Sequence, residues 1–157
     1  MTTVAWDGKV LASDTQASTG GVVCSTTEQK IYTAPYSGWS IYGDKIIAIG
    51  CSGDCGAEME LQALLANDLT YATEFMPTFE FSSLAIVGRG RAYIVSKEKG
   101  DTRANISLQV EPYAIGSGSL IARTAMHCGK SASEAVAVAI EMDCHTGGKV
   151  DLFAVGG

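Results

Sequence analysis

Residues 1–18 read MTTVAWDGKVLASDTQAS, with a run of strand-forming residues on either side of Asp7-Gly8. An Asp-Gly pair between two such runs is the strongest short-range signal for a β-hairpin, because the tight turn needs positive φ angles that these residues tolerate. We therefore expect residues 3–6 and 9–13 to form two antiparallel strands joined by a tight turn.

The rest of the chain divides into short apolar runs and three segments with helical spacing. The runs predict strands at residues 22–24, 30–33, 45–50, 83–87, 91–96, 106–110, 113–115 and 149–155. Helices are predicted at residues 54–69, 117–128 and 131–143, and the last opens with a capping box formed by Ser131 and Glu134. Residues 34–44 are expected to form a loop or a wide hairpin. This order predicts an α+β fold with antiparallel hairpins, in one domain spanning residues 1–157.

The composition of the 157 residues argues against several classes of protein. Hydrophobic residues make up 46% of the chain, which is enough for a packed core. Lysine and arginine number 11 against 17 aspartates and glutamates, so the net charge of −6 does not favour a nucleic-acid binder. No apolar run is long enough to span a bilayer, and residues 1–7 lack the pattern of a secretory signal. We expect a cytoplasmic protein that binds neither nucleic acid nor membrane.

Five cysteines are present, which are Cys24, Cys51, Cys55, Cys128 and Cys144. An odd number in a chain without a visible secretory signal favours free thiols over a disulfide framework. No segment repeats the tight two-ligand spacing of a zinc ribbon or finger. We expect no metal site and no cofactor, and we interpret the thiols as structural, because a free cysteine packs as a small buried hydrophobe.

Several common catalytic motifs do not fit this sequence. Residues 128–131 end like a phosphate-binding loop, but Thr124 stands where its first glycine would be, so Gly129 is interpreted as a helix stop. No nucleophile elbow of the form G-x-S-x-G occurs. The two histidines, His127 and His145, lie near predicted helix ends, where histidine commonly stabilises the helix dipole. A hydrolase that depends on a histidine base is therefore not favoured.

Thr2 offers a different kind of nucleophile. Removal of the initiator methionine is generally permitted before so small a residue, and it would leave a hydroxyl and a free α-amine on Thr2. A threonine hydroxyl needs a base to take its proton. An α-amine titrates at about 7.7–8.0, much closer to neutrality than a lysine amine, so it can serve as that base. Taken alone, however, Thr2 and Thr3 fit the start of a strand equally well.

Six short motifs follow one another along the chain. They are Thr2-Thr3, LASDTQAS at residues 11–18, Lys30 at 16 residues after Asp14, IAIGCSG at residues 47–53, IGSGS at residues 115–119 and DCHTGG at residues 143–148. Their order resembles the proteasome β-subunit and HslV family of N-terminal nucleophile hydrolases, over nearly the whole chain. The resemblance implies a four-layer αββα sandwich with two mainly antiparallel sheets between helices.

The resemblance also implies a role for each matching residue. Thr2 would be the nucleophile, Lys30 a fixed positive charge beside it, and Asp14 the partner that keeps the lysine ionised. The backbone N–H of Gly53, or of Ser52 in another register, would face the oxyanion. Three further residues would support the nucleophile and its amine, or else only brace turns, and these are Ser117, Asp143 and Thr146.

Substrate binding and partners follow from the same resemblance. Ser18 and Thr19 would pair with an extended peptide as an added strand. Glu28, Cys51 and Cys55 would lie near a specificity pocket of largely apolar character. The implied function is a threonine endopeptidase that cleaves peptides or unfolded proteins, in a homo-oligomeric ring served by an ATPase partner, since the chain has no nucleotide motif of its own.

Alternatives remain open at this point. The chain could be a catalytically silent scaffold or assembly protein that retains Met1, or it could be a small-molecule amidase. Asp14 follows Thr2 by only 12 positions, fewer than in the family, so Thr3 could be displaced into or out of the site. The stretch between Lys30 and Gly53 is longer than usual, because residues 34–44 are inserted.

Overall fold

Two antiparallel sheets form the centre of the structure, a computed structural model that describes residues 2–156. In chain order the elements are β1 Thr3–Trp6, β2 Val10–Ser13, β3 Ala17–Thr19, β4 Val22–Ser25, β5 Ile31–Thr33, β6 Trp39–Ile41, β7 Asp44–Ile46, β8 Ala48–Gly53, α1 Ala57–Leu65, β9 Phe81–Gly88, β10 Arg91–Lys97, β11 Asn105–Gln109, β12 Tyr113–Gly116, α2 Ser119–His127, α3 Ala132–Met142 and β13 Asp151–Ala154. One sheet has the strand order β12-β1-β2-β13 and the other β11-β10-β9-β8-β5, with two-stranded ribbons β3-β4 and β6-β7 beside them. The predicted α+β class is confirmed.

The predicted first hairpin is confirmed. Strands β1 and β2 pair antiparallel with Val4 opposite Ser13. The Asp7 carboxylate closes the turn by accepting hydrogen bonds from the backbone N–H groups of Lys9 at 2.9 Å and Val10 at 2.8 Å. Because the strands are antiparallel neighbours, the residue before β1 and the residue after β2 lie at the same end of the sheet.

Three clusters of buried side chains hold the elements together. The first joins the two sheets through Val4, Trp6 and Leu11 on one side and Leu84 and Ile86 on the other. The second joins α1 to the five-stranded sheet. The third packs α2 and α3 on the four-stranded sheet through a set rich in alanine, which lets helices and strands approach closely: Ala5, Ala12, Ala114, Ala122, Ala132 and Ala135.

The strand predicted at residues 45–50 is confirmed only in part, because the backbone divides there into β7 and β8. Ile47 lies between them, with its N–H donating to the Ile86 carbonyl at 2.9 Å and its own carbonyl accepting from Ala34 at 3.0 Å. The preceding strand β7 pairs instead with β6, inside the segment predicted as a loop or wide hairpin. The buried side chains of Trp39 and Ile46, which face each other in this ribbon, anchor it in the core below α1.

The three predicted helices are present but shorter than predicted. The capping box that opens α3 is confirmed, with the Ser131 hydroxyl accepting from the Glu134 N–H at 3.2 Å and the Glu134 carboxylate accepting from the Ser131 N–H at 3.0 Å. No helix within residues 2–156 is both long and apolar enough to cross a bilayer.

The expected burial of the thiols is wrong for four of the five cysteines. All five are free, and Cys24, Cys55, Cys128 and Cys144 are exposed. Cys51 is partly buried, and its thiol donates to the Ser83 hydroxyl over 3.7 Å. Cys24 lies in the exposed strand β4, and the other three lie at a turn or beside a helix end, positions that the apolar pattern does not distinguish from the core.

Candidate active site

Thr2, Asp14 and Lys30 meet where the two sheets end. Thr2 precedes β1 and Asp14 follows β2, so the first hairpin brings both to one edge. Lys30 precedes β5, an edge strand of the other sheet. All three are buried, with exposed fractions of 6% for Thr2, 0% for Asp14 and 6% for Lys30. The expected removal of Met1 concerns a residue outside the described range.

The carboxylate of Asp14 has a donor on each side. Its Oδ1 accepts from Lys30 Nζ at 2.8 Å and from the Thr3 backbone N–H at 3.1 Å. Its Oδ2 accepts from the Gly147 N–H at 3.1 Å. Asp14 thus ties the lysine directly to the backbone that carries Thr2.

Lys30 is a buried cation with well-defined partners. Its Nζ also donates to the Gln16 carbonyl at 2.6 Å. Burial lowers the pKa of the Lys30 amine below its usual value, while the hydrogen bond and charge of Asp14 act in the opposite direction. Since a buried charge without a partner is costly, the pair is expected to be needed as a unit.

A second chain of hydrogen bonds runs from Asp143, which follows α3. Its Oδ2 accepts from the hydroxyls of Ser117 at 2.7 Å and Thr146 at 2.6 Å. Thr146 lies 2.7 Å from the Thr3 hydroxyl. Because Thr146 gives its one proton to Asp143, the Thr3 hydroxyl must be the donor to Thr146. The network therefore reaches the residue after Thr2.

The ionised form of Asp143 is favoured by this network. Burial by itself would raise the pKa of the Asp143 carboxyl, but hydrogen bonds from Ser117, Thr146 and the His145 backbone lower it below its usual value. The three predicted supporting residues thus lie in one cluster. Its link to Thr2 is the Thr2 carbonyl, which accepts from the Gly118 N–H at 3.5 Å and lies 3.5 Å from the hydroxyl oxygen of Ser117.

Two glycines make the close approach to Thr2 and Thr3 possible. A Cβ on Gly116, whose φ is 95°, would lie 1.9 Å from the Thr2 carbonyl oxygen. A Cβ on Gly118 would lie 2.0 Å from the Thr3 hydroxyl. Side chains at these positions would push the strand that carries Thr2 away from the segment that carries Ser117.

Replacement of Gly116 by alanine is expected to destabilise the protein more than the same change at Gly129. Both residues have nearly the same φ, 95° and 94°, so both variants suffer the left-handed penalty of about 1–2 kcal/mol. A Cβ on Gly129 meets nothing within 4 Å, whereas one on Gly116 meets Thr2, so Gly116→Ala should lose about 1–3 kcal/mol more. Urea unfolding of the two variants measures the difference, and equal losses would contradict a role of Gly116 in seating Thr2.

A cavity of about 380 Å³ lies in front of Thr2. Its lining includes three of the predicted catalytic residues, Thr2, Lys30 and Gly53, and all five predicted substrate-binding residues, which are Ser18, Thr19, Glu28, Cys51 and Cys55. Asp14, Ser117, Asp143 and Thr146 are not in this lining. Thr3 is fully buried and also absent from it, so Thr2 rather than Thr3 faces the cavity.

The expectation of a largely apolar pocket is met only in part. Apolar groups such as Ala57 and Phe81 are present, but so are four carboxylates, those of Glu28, Asp54, Glu58 and Glu80. Of these four, the sequence motifs predicted only Glu28 as a lining residue. Asp54, Glu58 and Glu80 belong to other segments, which folding brings beside Glu28.

Gly53 is the last residue of β8. It lines both this cavity and a second cavity of about 780 Å³, so it lies at the boundary between them. Successive amides of a strand point to opposite edges. The Cys51 N–H donates to the Lys30 carbonyl at 3.0 Å, and the Asp54 N–H to the Glu80 carbonyl at 2.9 Å. This alternation puts the Gly53 N–H on the edge of β8 that carries Lys30.

Comparisons with known proteins support the fold rather than a close relationship. No protein-family model and no curated protein sequence matches the chain. Thiobacillus denitrificans BPH in complex with epoxomicin is 18% identical, with 99% of each chain covered and a TM-score of 0.65. A further structure of Thiobacillus denitrificans BPH is 19% identical, covers 99% of this chain and 98% of that one, and has a TM-score of 0.64. The chain has a proteasome-like fold.

Within this proteasome-like fold, sequence analysis missed Gln16 and the positioning glycines. A Cβ on Gly147 would lie 2.1 Å from Gln16 Oε1, and one on Gly148 would lie 2.3 Å from the Thr15 hydroxyl. The glycines were visible in the motifs at residues 115–119 and 143–148, but a glycine's role depends on which atoms lie opposite it. No spacing rule supplies that information.

Proposed function

We propose that this protein is a threonine-type peptidase that cleaves peptide bonds with Thr2 as its nucleophile. The observation that carries the proposal is the position of Thr2, which lines a cavity while the buried Asp14–Lys30 pair lies beside the same strand. Thiobacillus denitrificans BPH, which has the same fold, was solved with epoxomicin, a threonine-protease inhibitor. That protein's ligand supports a threonine nucleophile here.

In the proposed reaction, Thr2 Oγ1 attacks the carbonyl carbon of the bond to be cleaved. The Thr2 α-amine, exposed once Met1 is removed, accepts the hydroxyl proton directly or through water. It then returns a proton to the leaving amine. Water hydrolyses the resulting ester and restores the hydroxyl.

The cation of Lys30 has two effects on this reaction. A positive charge near the Thr2 amine lowers the pKa of that amine, and it stabilises the developing alkoxide. Asp14 keeps Lys30 oriented and ionised through their 2.8 Å contact. The Gly53 N–H, on the edge of β8 that carries Lys30, would donate to the oxyanion, and this orientation favours Gly53 over Ser52.

The network of Ser117, Asp143 and Thr146 would hold Thr2 in position. Ser117 reaches the Thr2 carbonyl, and Thr146 reaches the side chain of Thr3. Both are oriented by the ionised Asp143 carboxylate. Ser18 and Thr19, which line the cavity, would pair with the substrate backbone in an extended conformation.

The proposal extends to the architecture and the setting of the enzyme. The enzyme would be a four-layer αββα sandwich similar to HslV, formed by a single domain over residues 1–157, and the three clusters of buried side chains support this proposal. The peptidase would work in the cytoplasm as a homo-oligomeric ring, on peptides or on unfolded proteins that an ATPase partner supplies. It would need no metal or cofactor and would bind neither nucleic acid nor membrane.

Intact-mass measurement before and after treatment with an epoxyketone tests the proposal directly. We expect the purified protein to lack the mass of Met1 and to gain the mass of one inhibitor molecule. Thr2→Ala should gain none. A protein that retains Met1 and forms no adduct would contradict the peptidase and favour the scaffold, whereas a monomeric, adduct-forming protein would favour the amidase.

A further inference from the structure

The charge of the cavity beside Thr2 is predominantly negative. Its four carboxylates come from four places in the fold: Glu28 precedes β5, Asp54 follows β8, Glu58 lies in the first turn of α1, and Glu80 precedes β9. Within residues 2–156, the single cation in the lining is Lys30, whose charge is matched by Asp14 at 2.8 Å. The cavity therefore carries an excess of negative charge.

Few of these carboxylates are neutralised by the protein itself. Asp54 pairs with Lys99 across 3.7 Å. In the described part of the chain, no lysine or arginine lies within ion-pair distance of Glu28, Glu58 or Glu80. Glu58 accepts a single backbone bond, from Gly56 at 3.1 Å. Three acidic side chains are thus left with capacity for an external cation.

Two of these charges, those of Glu28 and Glu58, act on the inner wall of the cavity, which is formed by Tyr32 and Cys51. Burial raises the pKa of Tyr32 to about 12, and the charges of Glu58 and Glu28 act in the same direction. Burial likewise raises the pKa of the Cys51 thiol to about 12, again with Glu58 adding to the effect. Tyr32 and Cys51 are consequently neutral at physiological pH, so the charge on this side of the cavity comes from the carboxylates alone.

The shape of the site suits an organic cation rather than a metal ion. No group of three His, Cys, Asp or Glu side chains among residues 2–156 is placed to hold a metal. The carboxylates are instead distributed around a cavity with apolar surface from Ala57 and Phe81. A lysine or arginine side chain has a matching form, because its apolar stem packs against apolar walls while its charged head reaches carboxylates.

We propose that the cavity selects a lysine or arginine side chain at the residue whose carbonyl Thr2 attacks. This inference rests on the proposed peptidase function and adds its substrate class. Glu28 and Glu58 are the specificity-determining residues, since both line the cavity and both act on its inner wall. An acidic substrate side chain is repelled by the same charges.

Matched peptide substrates test the preference. Three aminomethylcoumarin amides that differ only in the residue before the cleaved bond, arginine, citrulline or glutamate, separate charge from shape, because citrulline is nearly isosteric with arginine. We expect kcat/KM for arginine to exceed that for citrulline about tenfold or more, as for hydrogen bonds between charged groups, and glutamate to be the poorest. Equal rates for arginine and citrulline would overturn the proposal.

Glutamine variants assign the preference to its residues. Glu28→Gln and Glu58→Gln should each reduce the ratio of arginine to citrulline turnover severalfold. The control is Glu141→Gln, at an exposed position of α3 outside the cavity lining, which should retain the wild-type ratio. An unchanged ratio in both cavity variants would refute the assignment of Glu28 and Glu58.

Binding to the inactive protein separates this inference from the peptidase proposal. Calorimetric titration of Thr2→Ala with the arginine and citrulline peptide amides reports on the cavity without the reaction. Preferential binding of the arginine peptide without any wild-type hydrolysis would support a cavity that selects cationic side chains and would refute the peptidase. Conversely, hydrolysis that needs Thr2, together with binding that shows no charge preference, would support the peptidase and refute the preference for cationic side chains.

Discussion

Thr2→Ala is expected to reduce hydrolysis of peptide amides by about 10⁴-fold or more. The reason is that the variant loses the attacking oxygen of the proposed reaction, and the other hydroxyls of the lining, such as those of Ser18 and Thr19, are not carried by the residue whose α-amine would act as the base. The fold should be preserved, because the links that hold residue 2 run through its carbonyl, which Ser117 approaches to 3.5 Å, and through the strand that follows. Fluorogenic peptide turnover and circular dichroism measure the two effects.

Thr2→Ser is the matched control, since it retains a hydroxyl at the same place. It should remain an active enzyme if Met1 is still removed, which intact mass verifies in each variant. Turnover by Thr2→Ala within tenfold of the wild type, in protein of verified mass, would exclude Thr2 as nucleophile.

Lys30→Met is expected to lower kcat by about 10²–10³ while KM changes far less, because it removes a charge that acts on the developing alkoxide rather than on bound peptide. The variant should also lose about 3–5 kcal/mol of stability, since Asp14 is fully buried and would be left without its cation. Steady-state kinetics on the folded fraction and urea unfolding separate these two losses.

Lys97 offers a control of similar burial, with 2% of its surface exposed against 6% for Lys30. Its Nζ donates to the carbonyls of Phe79, Glu98 and Asp101 and does not contact Asp14. Lys97→Met should therefore lose stability yet keep its kcat per folded molecule. A defect in Lys30→Met confined to KM, or an equal loss of kcat in both variants, would count against the proposed role of Lys30.

Local signals in the sequence predicted several elements correctly because each depends on neighbouring residues. Asp7 closes its own hairpin turn, and Ser131 with Glu134 caps its own helix. The division of the strand expected at residues 45–50 was not predicted, for the opposite reason. Its break at Ile47 depends on hydrogen bonds to Ala34 and Ile86, which are distant in sequence.

The candidate site likewise has some features that the sequence predicted and others that only the tertiary structure shows. The motifs around Thr2, Asp14 and Lys30 named the buried ion pair and the proposed nucleophile, and the fold brings the three residues to one end of the sheets. The same motifs predicted a largely apolar pocket from Cys51 and Cys55, and they did not indicate the carboxylates of Asp54, Glu58 and Glu80 that also line it.

The amino-acid order by itself determined the hairpins, the capped helix and the residues that could perform the chemistry, since those depend on local conformation and on functional groups. Tertiary structure alone decided that Thr2 and not Thr3 faces the cavity, and that Glu58 and Glu80 join Glu28 around it. The physical reason is that side-chain direction and electrostatic field are set by strand register and by contacts between distant segments, which no spacing within one segment encodes.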